Sequence, residues 1–240
     1  MTGVVYIVGA GPGDPELMTV KGLQRLRDSE VVIHDRLISG RLLDEARPDA
    51  EIIDVGKQPG RSHAIQDWIN SLLVSKANEG RRICRLKGGD PFIFGRGAEE
   101  VQILAQAGIR FEVIPGVSCI SAVPASVGIP LTHRDHAHMF MVVTACQASG
   151  DSEDWPVAAS MVRRGGTLVV LMGLARAGAI ASALCSQGCD PSTPVAVIAS
   201  GTLPSQESRH GTLRDIGGRV TGLLPPALIV VGKVAANFAD

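Results

Sequence analysis

The 240-residue chain has no apolar run approaching the roughly 20 residues a membrane-spanning helix requires, so no membrane partner is expected. Its start, MTGVVYIVGAG, passes directly into a strand-like run and lacks the basic and apolar regions of a signal peptide. The five cysteines (Cys84, Cys119, Cys146, Cys185 and Cys189) form no CxxC and no paired disulfide spacing. That pattern fits free thiols in a reducing cytosol, and a cytoplasmic protein is expected. Cys185 and Cys189 read either as a fragment of a metal site or as small apolar residues on one helix and its cap. The formal net charge of −1 gives no basic surface for nucleic acid. Lysine is scarce: of 23 basic residues five are lysine and 18 arginine. Guanidinium forks grip carboxylates in a bidentate way that ammonium groups cannot, so a polycarboxylate ligand would explain the bias. A GC-rich genome would explain it equally, and position must decide which arginines matter.

Apolar residues make up 45% of the chain, ordinary for a folded globular protein. Short apolar runs rich in β-formers recur at 4–8, 31–34, 52–55, 82–86 and 111–114, then at 139–144, 167–172, 195–199 and 227–231. Helical periodicity fills the intervals, which predicts α/β architecture with mostly parallel sheets. The first series ends at Pro115-Gly116, placing a lobe boundary there and two α/β lobes at 1–115 and 116–240. Asp14-Pro15 reads as an N-cap with proline in the first turn of a helix reaching Asp28. Ser62 or His63 opens a second helix, and Gly80 and Gly108 stand as helix stops.

Three segments could carry chemistry. In Val8-Gly9-Ala10-Gly11-Pro12-Gly13-Asp14 the third glycine of a dinucleotide fingerprint is replaced by Asp14, and Pro12 removes an amide donor. A turn of this kind suits a cationic ligand better than a pyrophosphate. The second, RLKGGDPFIFGRGAEE from Arg85, follows a strand with a glycine pair and an Asp-Pro turn, the composition of a binding loop. It also places Arg96 and Glu99 one helical turn apart. The third runs from Pro115-Gly116-Val117-Ser118-Cys119 to PLTHRD and sits at the expected lobe junction, where ligands commonly bind. His133, His136 and His138 lie on a loop without a matching cysteine pair, and no metal is expected there.

These segments, together with HDRLIS, VGKQPG around Lys57, GIPLTHRDHA, the LMG ending at Gly173 and the SGT starting at Ser200, resemble the uroporphyrinogen-III C-methyltransferases within the tetrapyrrole methylases. The resemblance covers nearly the whole chain. It departs from the family pattern at His34, where a tyrosine usually precedes the Asp-Arg pair, and at Ser118-Cys119. It implies two α/β lobes with S-adenosylmethionine (SAM) in the cleft between them, a homodimer, and a methylase without a fused dehydrogenase and ferrochelatase module. The implied reaction transfers methyl groups from SAM to two pyrrole-ring carbons of uroporphyrinogen III, giving precorrin-2 on the route to siroheme and cobalamin. Carried over by motif, SAM contacts fall on Pro12, Gly88, Gly89, Asp90 and Ile93. In the second half they fall on Ser118, Cys119, Met172, Gly201 and Ala227. Asp35 is implied as proton acceptor and Lys57 as proton donor. Arg36, Arg96, Glu99 and Arg134 would line the tetrapyrrole side.

The chemistry is compatible with such residues. Attack of a pyrrole carbon on the SAM methyl leaves a cationic ring system that relaxes when a proton is lost, work suited to a carboxylate at a strand end. Two bland readings compete: Asp35 as a simple ion-pair partner of Arg36, and Lys57 as no more than a grip on a propionate. A methylase of a later corrin precursor and a nucleotide-binding oxidoreductase are the alternative functions.

Overall fold

The computed structural model describes residues 2–56, 62–145 and 154–236. The chain divides into two compact units, Met1–Cys119 and Ile120–Asp240.

In the first unit, runs buried on both faces become the central strands of a parallel sheet. Strands β1 (Val4–Gly9), β2 (Val31–His34), β3 (Glu51–Asp54), β4 (Arg82–Lys87) and β5 (Arg110–Ile114) pair in the order β3-β2-β4-β1-β5, every pair parallel. Helices α1 (Val20–Asp28) and α2 (Gly40–Leu43) cover one face, where Leu26 and Leu42 pack with Val8, Val32, Cys84 and Leu86. Helices α3 (Ser62–Asn78) and α4 (Gly97–Gln106) cover the other, where Ile69, Leu73 and Leu104 meet Val5, Ile7, Val31, Ile33 and Ile83. Coverage of both faces explains why β1 and β2 read as nearly unbroken apolar runs. Gly80 and Gly108, at φ +81° and +67°, close α3 and α4 in the left-handed conformation that a side chain would strain.

The helix expected from Asp14 to Asp28 is two pieces. Asp14 does cap a turn, its Oδ1 accepting from the Glu16 amide at 3.0 Å. That turn is only the 3-10 segment Pro15–Leu17, and Met18 and Thr19 are extended. Thr19 then caps α1 by accepting from the Gly22 amide at 3.1 Å. A second cap just downstream restarts the helix, a competition the apolar spacing does not register.

The second unit holds α5 (Cys119–Ser126, its first residue shared with the first unit), β6 (Phe140–Thr144), α6 (Asp154–Arg163), β7 (Thr167–Leu171), α7 (Ala177–Ser186), β8 (Pro194–Ala199), β9 (Glu207–Thr212), α8 (Ile216–Arg219) and β10 (Ala227–Val231). Its sheet runs β6-β7-β10-β8-β9, and only β6 and β7 are parallel. The α/β class holds, but this sheet is mixed rather than mostly parallel. Central strands buried on both faces look alike in sequence whichever way they run. Strand β9, sequence ESRHGT, leaves no apolar pattern in the sequence because it is a polar edge strand without a buried face.

Candidate active site

In parallel α/β sheets the carboxyl ends of the strands open into loops, and ligands bind beyond them. Here the loops after β1, β4 and β5 are fastened to one another. Ala10 N donates to Lys87 O at 2.8 Å, Gly89 N to Gly11 O at 2.7 Å and Gly11 N to Gly89 O at 3.3 Å. The loop after β5 approaches so closely that a Cβ on Gly116 would land on the Gly89 carbonyl oxygen and 2.7 Å from the Gly9 Cα. Gly88 differs: it is exposed, and a Cβ there would meet nothing within 4 Å. The Asp90 carboxylate accepts from the Phe92 amide at 2.9 Å and the Gly116 amide at 3.1 Å. Pro12, Gly88, Gly89, Asp90, Ile93, Ser118 and Cys119 all lie in these loops or at the start of α5.

Asp35 follows β2 at the same edge. Its partner is not Arg36, which is exposed, but Arg85 of β4, whose Nη2 donates to Oδ1 at 2.6 Å. The Gly88 amide donates to Oδ2 at 3.4 Å. Arg85 is 1% exposed and Lys87 2%, and both point to the α4 face, where Glu100 is fully buried. Oε1 of Glu100 accepts from Arg85 Nε at 3.1 Å, Lys87 Nζ at 2.9 Å and Gln66 Nε2 at 3.3 Å. Burial alone would raise the Asp35 pKa. The charges of Arg85 and Lys87, the Arg85 hydrogen bond and the Gly88 amide outweigh it and hold the carboxyl below the usual aspartate range. Lys87 is pushed down, by burial first and by the neighbouring Arg85 second, with Glu100 and Asp35 opposing. Buried Cys84, next to Arg85 in β4, is raised to about 12 by desolvation, which keeps it a protonated, unreactive thiol.

Sequence reasoning named Arg85 and Glu100 only as members of a motif. The signal was available: two cations two residues apart in an otherwise apolar strand must share one buried face and need an anion there. Lys57 lies outside the described residues. Arg96, at φ +59°, caps α4 and is gripped by Glu99 through Nε–Oε1 at 2.7 Å and Nη2–Oε2 at 2.6 Å.

In the second unit the register brings the ends of β7 and β8 and the start of β10 to one sheet edge, with Leu228 opposite Leu171 and Ala227 opposite Ala199. Met172, Gly201 and Ala227 therefore gather there. Met172, Ser200 and Thr202 hold φ of +56°, +49° and +67°. Such strain in non-glycine residues persists only where surrounding structure enforces it, and it concentrates at functional sites. Gly201 is buried against α5, where a Cβ would sit 2.9 Å from Val123 Cβ. Arg134 is exposed, on a turn where the His133 and His136 rings stack with centroids 4.5 Å apart. Among the described residues no group of three or more His, Cys, Asp and Glu could hold a metal ion, and no helix is long and apolar enough to cross a membrane.

The sequence model of the Tetrapyrrole (Corrin/Porphyrin) Methylases matches residues 4–217. Siroheme synthase 2 of Aeromonas hydrophila is 46% identical over 235 residues, covering 98% of this chain and 49% of the relative. Siroheme synthase 1 of Pectobacterium atrosepticum is 48% identical over 233 residues, covering 97% and 48%. The chain thus spans about half the length of the curated relatives it matches. A crystal structure of uroporphyrin-III C-methyl transferase from Thermus thermophilus, complexed with S-adenosyl homocysteine, superposes with a TM-score of 0.83 at 40% identity, covering 97% of this chain and 98% of that one. With the family match spanning residues 4–217 and a solved relative 40% identical over nearly its whole length, this chain belongs to the tetrapyrrole methylase family.

Proposed function

We propose that the chain is a SAM-dependent C-methyltransferase that methylates two pyrrole-ring carbons of uroporphyrinogen III to give precorrin-2, serving siroheme or cobalamin synthesis. The observation that carries this reading is the loop cluster at the carboxyl edge of the first sheet. There the Gly11–Gly89 pairing exposes a side-chain-free surface at Gly88, with an ionised carboxylate, Asp35, hydrogen-bonded to the Gly88 amide. The 40% identity to a uroporphyrin-III C-methyl transferase that was solved with S-adenosyl homocysteine supports it.

The residues fit SAM in kind. Open space at Gly88 admits a ligand against the backbone, and the Asp90 anchor keeps the turn in place. Pro12, Gly88, Gly89, Asp90 and Ile93 would hold one part of it, with Ser118 and Cys119. Met172, Gly201 and Ala227 are the remaining SAM contacts of this reading. When bound, SAM supplies a methyl group on positively charged sulfur, activated for in-line transfer. Asp35 takes the proton that the methylated ring releases; a weakly basic carboxylate suffices because a cationic ring carbon is a strong acid. Arg85 keeps Asp35 ionised and aimed. Lys57 is the proton donor of this reading. Arg36, Arg96 and Arg134 meet the acetate and propionate rim through charge-assisted hydrogen bonds, with Glu99 orienting Arg96. A homodimer in the cytoplasm completes the proposal, on the strength of the family resemblance and the cysteine pattern.

The test is anaerobic incubation of purified protein with SAM and freshly generated uroporphyrinogen III, read by product mass and S-adenosylhomocysteine release. A gain of two methyl groups is expected. SAM binding without methylation would move the substrate to a later corrin precursor, and failure to bind SAM would sink the reading.

A further inference from the structure

We infer that Glu100 is a positioning residue for Asp35, acting through Arg85 without touching substrate. The inference rests on the reading of Asp35 as proton acceptor. Its basis is a continuous hydrogen-bonded chain from the core to the loop edge: Glu100 Oε1 to Arg85 Nε, then Arg85 Nη2 to Asp35 Oδ1.

The guanidinium is fully placed. Nε is taken by Glu100, Nη1 donates to the Ile33 and Leu86 carbonyls at 3.3 Å each, and Nη2 meets Asp35. No rotation of Arg85 is left that keeps these bonds, so the Asp35 carboxylate is held on a rigid fork. Of the four charged groups only Asp35 keeps substantial side-chain exposure, at 37%. The network therefore has one outlet, and it opens at the edge where the proposed substrates meet.

A structural role alone explains the network poorly. Buried ion pairs are commonly matched or exceeded in stability by apolar residues of similar volume. This one also leaves Glu100 Oε2 without a hydrogen-bond partner among the described residues, although the atom is buried. An orphaned buried acceptor is unfavourable. Glu100 spends one oxygen on Arg85, Lys87 and Gln66 together and leaves the other unsatisfied, the arrangement of a carboxylate whose position is dictated by what it must hold.

Electrostatics points the same way. The groups facing Asp35 are Arg85 and Lys87 from β4, with Glu100 behind them on α4, neutral Gln66 on α3, and His34 and Arg36 beside it in the chain. Glu100 and Asp35 together balance Arg85 and Lys87. Without Glu100 both buried cations would draw on Asp35 alone, pull its carboxylate inward and weaken it further as a base.

The experiment compares Glu100→Gln with the wild-type chain in steady-state methylation of uroporphyrinogen III across pH, with Asp35→Asn as reference. The Glu100→Gln variant should lower kcat roughly 10- to 100-fold, the scale of a misplaced reactive group. KM for both substrates should stay within about twofold, as expected when only transition-state interactions are lost. The acid limb of the kcat profile should move to lower pH. A double variant, Glu100→Gln with Lys87→Met, removes one buried charge of each sign and should fold even where the single one does not. It should show the same kcat loss, since Arg85 has still lost its anchor. Normal kcat and an unmoved acid limb in a folded variant, with only the melting temperature reduced, would overturn the inference and leave Glu100 structural. If Asp35→Asn keeps full kcat, the reading of Asp35 itself fails; if Asp35→Asn collapses and the Glu100 variants do not, only the positioning role falls.

Discussion

The Asp90 side chain joins the loop after β4 to Gly116 in the loop after β5, accepting the Gly116 amide at 3.1 Å on Oδ2 while Oδ1 holds Phe92 of its own loop at 2.9 Å. The two strands are not neighbours, because β1 lies between them. One carboxylate thus fixes the spacing of loops that no sheet hydrogen bond connects directly.

Replacing Asp90 with alanine removes both acceptors. Hydrogen bonds to a charged group are worth about 1.5–3 kcal/mol each, though loop relaxation and water recover part of that. Binding of S-adenosylhomocysteine, followed by calorimetry, should weaken by about tenfold or more, the equivalent of roughly 1.4 kcal/mol. An unchanged dissociation constant would remove Asp90 from the cofactor site.

Gly88 and Gly116 should respond in opposite ways to alanine. At Gly116 the new Cβ collides with the Gly89 backbone and the Gly9 Cα, so the fold must shift. Overpacking of that kind costs about 1–3 kcal/mol or more, and the melting temperature should fall by several degrees. At Gly88 the Cβ enters open space, so stability should stay within about 0.5 kcal/mol while SAM affinity drops. Thermal scans with and without SAM separate the two. A Gly88→Ala chain that binds SAM normally would place the cofactor elsewhere.

Much of this organisation is legible in sequence, and its gaps have physical causes. The five strands of the first sheet follow from short apolar runs, doubly buried in β1, β2 and β4, and the ends of α3 and α4 from left-handed glycines. The direction of β8 and β10 does not, because burial on both faces erases the alternation that distinguishes sheet types. Strand β9 is missed for the opposite reason, having too little burial to leave a pattern. Arg85 and Glu100 sit 15 residues apart, and their pairing depends on which face of β4 packs against α4, a tertiary fact. Asp35 next to Arg36 reads as a local pair, yet its cation comes from 50 residues away.

The lowered Asp35 pKa makes stability fall in acid. A carboxylate depressed in the folded state stabilises it above the unfolded pKa, here near the ordinary aspartate value of 3.8, and that contribution is lost as pH falls through the lower folded value. Glu51 and Glu112 are lowered as well and share the acid limb: Glu51 mainly through its hydrogen bond from Lys76, Glu112 mainly through that from Lys21. In Asp35→Asn one contributor is missing, so its melting temperature should lie below that of the wild-type chain at pH 7 and approach it as pH falls below the ordinary aspartate value of 3.8. Curves that stay parallel throughout the acid limb would show that Asp35 is not stabilised as an anion.

Arg96 and Arg134 differ in what a substrate must displace. Arg96 is already gripped by Glu99 through two bonds of 2.7 and 2.6 Å, so a propionate has to compete with a carboxylate in place. Arg134 is exposed on its turn. A charge-assisted bond to a bound carboxylate contributes about 1.5–3 kcal/mol, a factor of roughly 10 to 100. Arg134→Ala should therefore raise KM for the tetrapyrrole by about tenfold or more, and Arg96→Ala by less, since Glu99 already occupies two of the Arg96 donors. Both should leave SAM affinity within about twofold, because uniform loss of substrate binding appears in one KM alone. Equal loss of both ligands in either variant would mean that the arginine supports the fold of the site and does not meet the substrate rim.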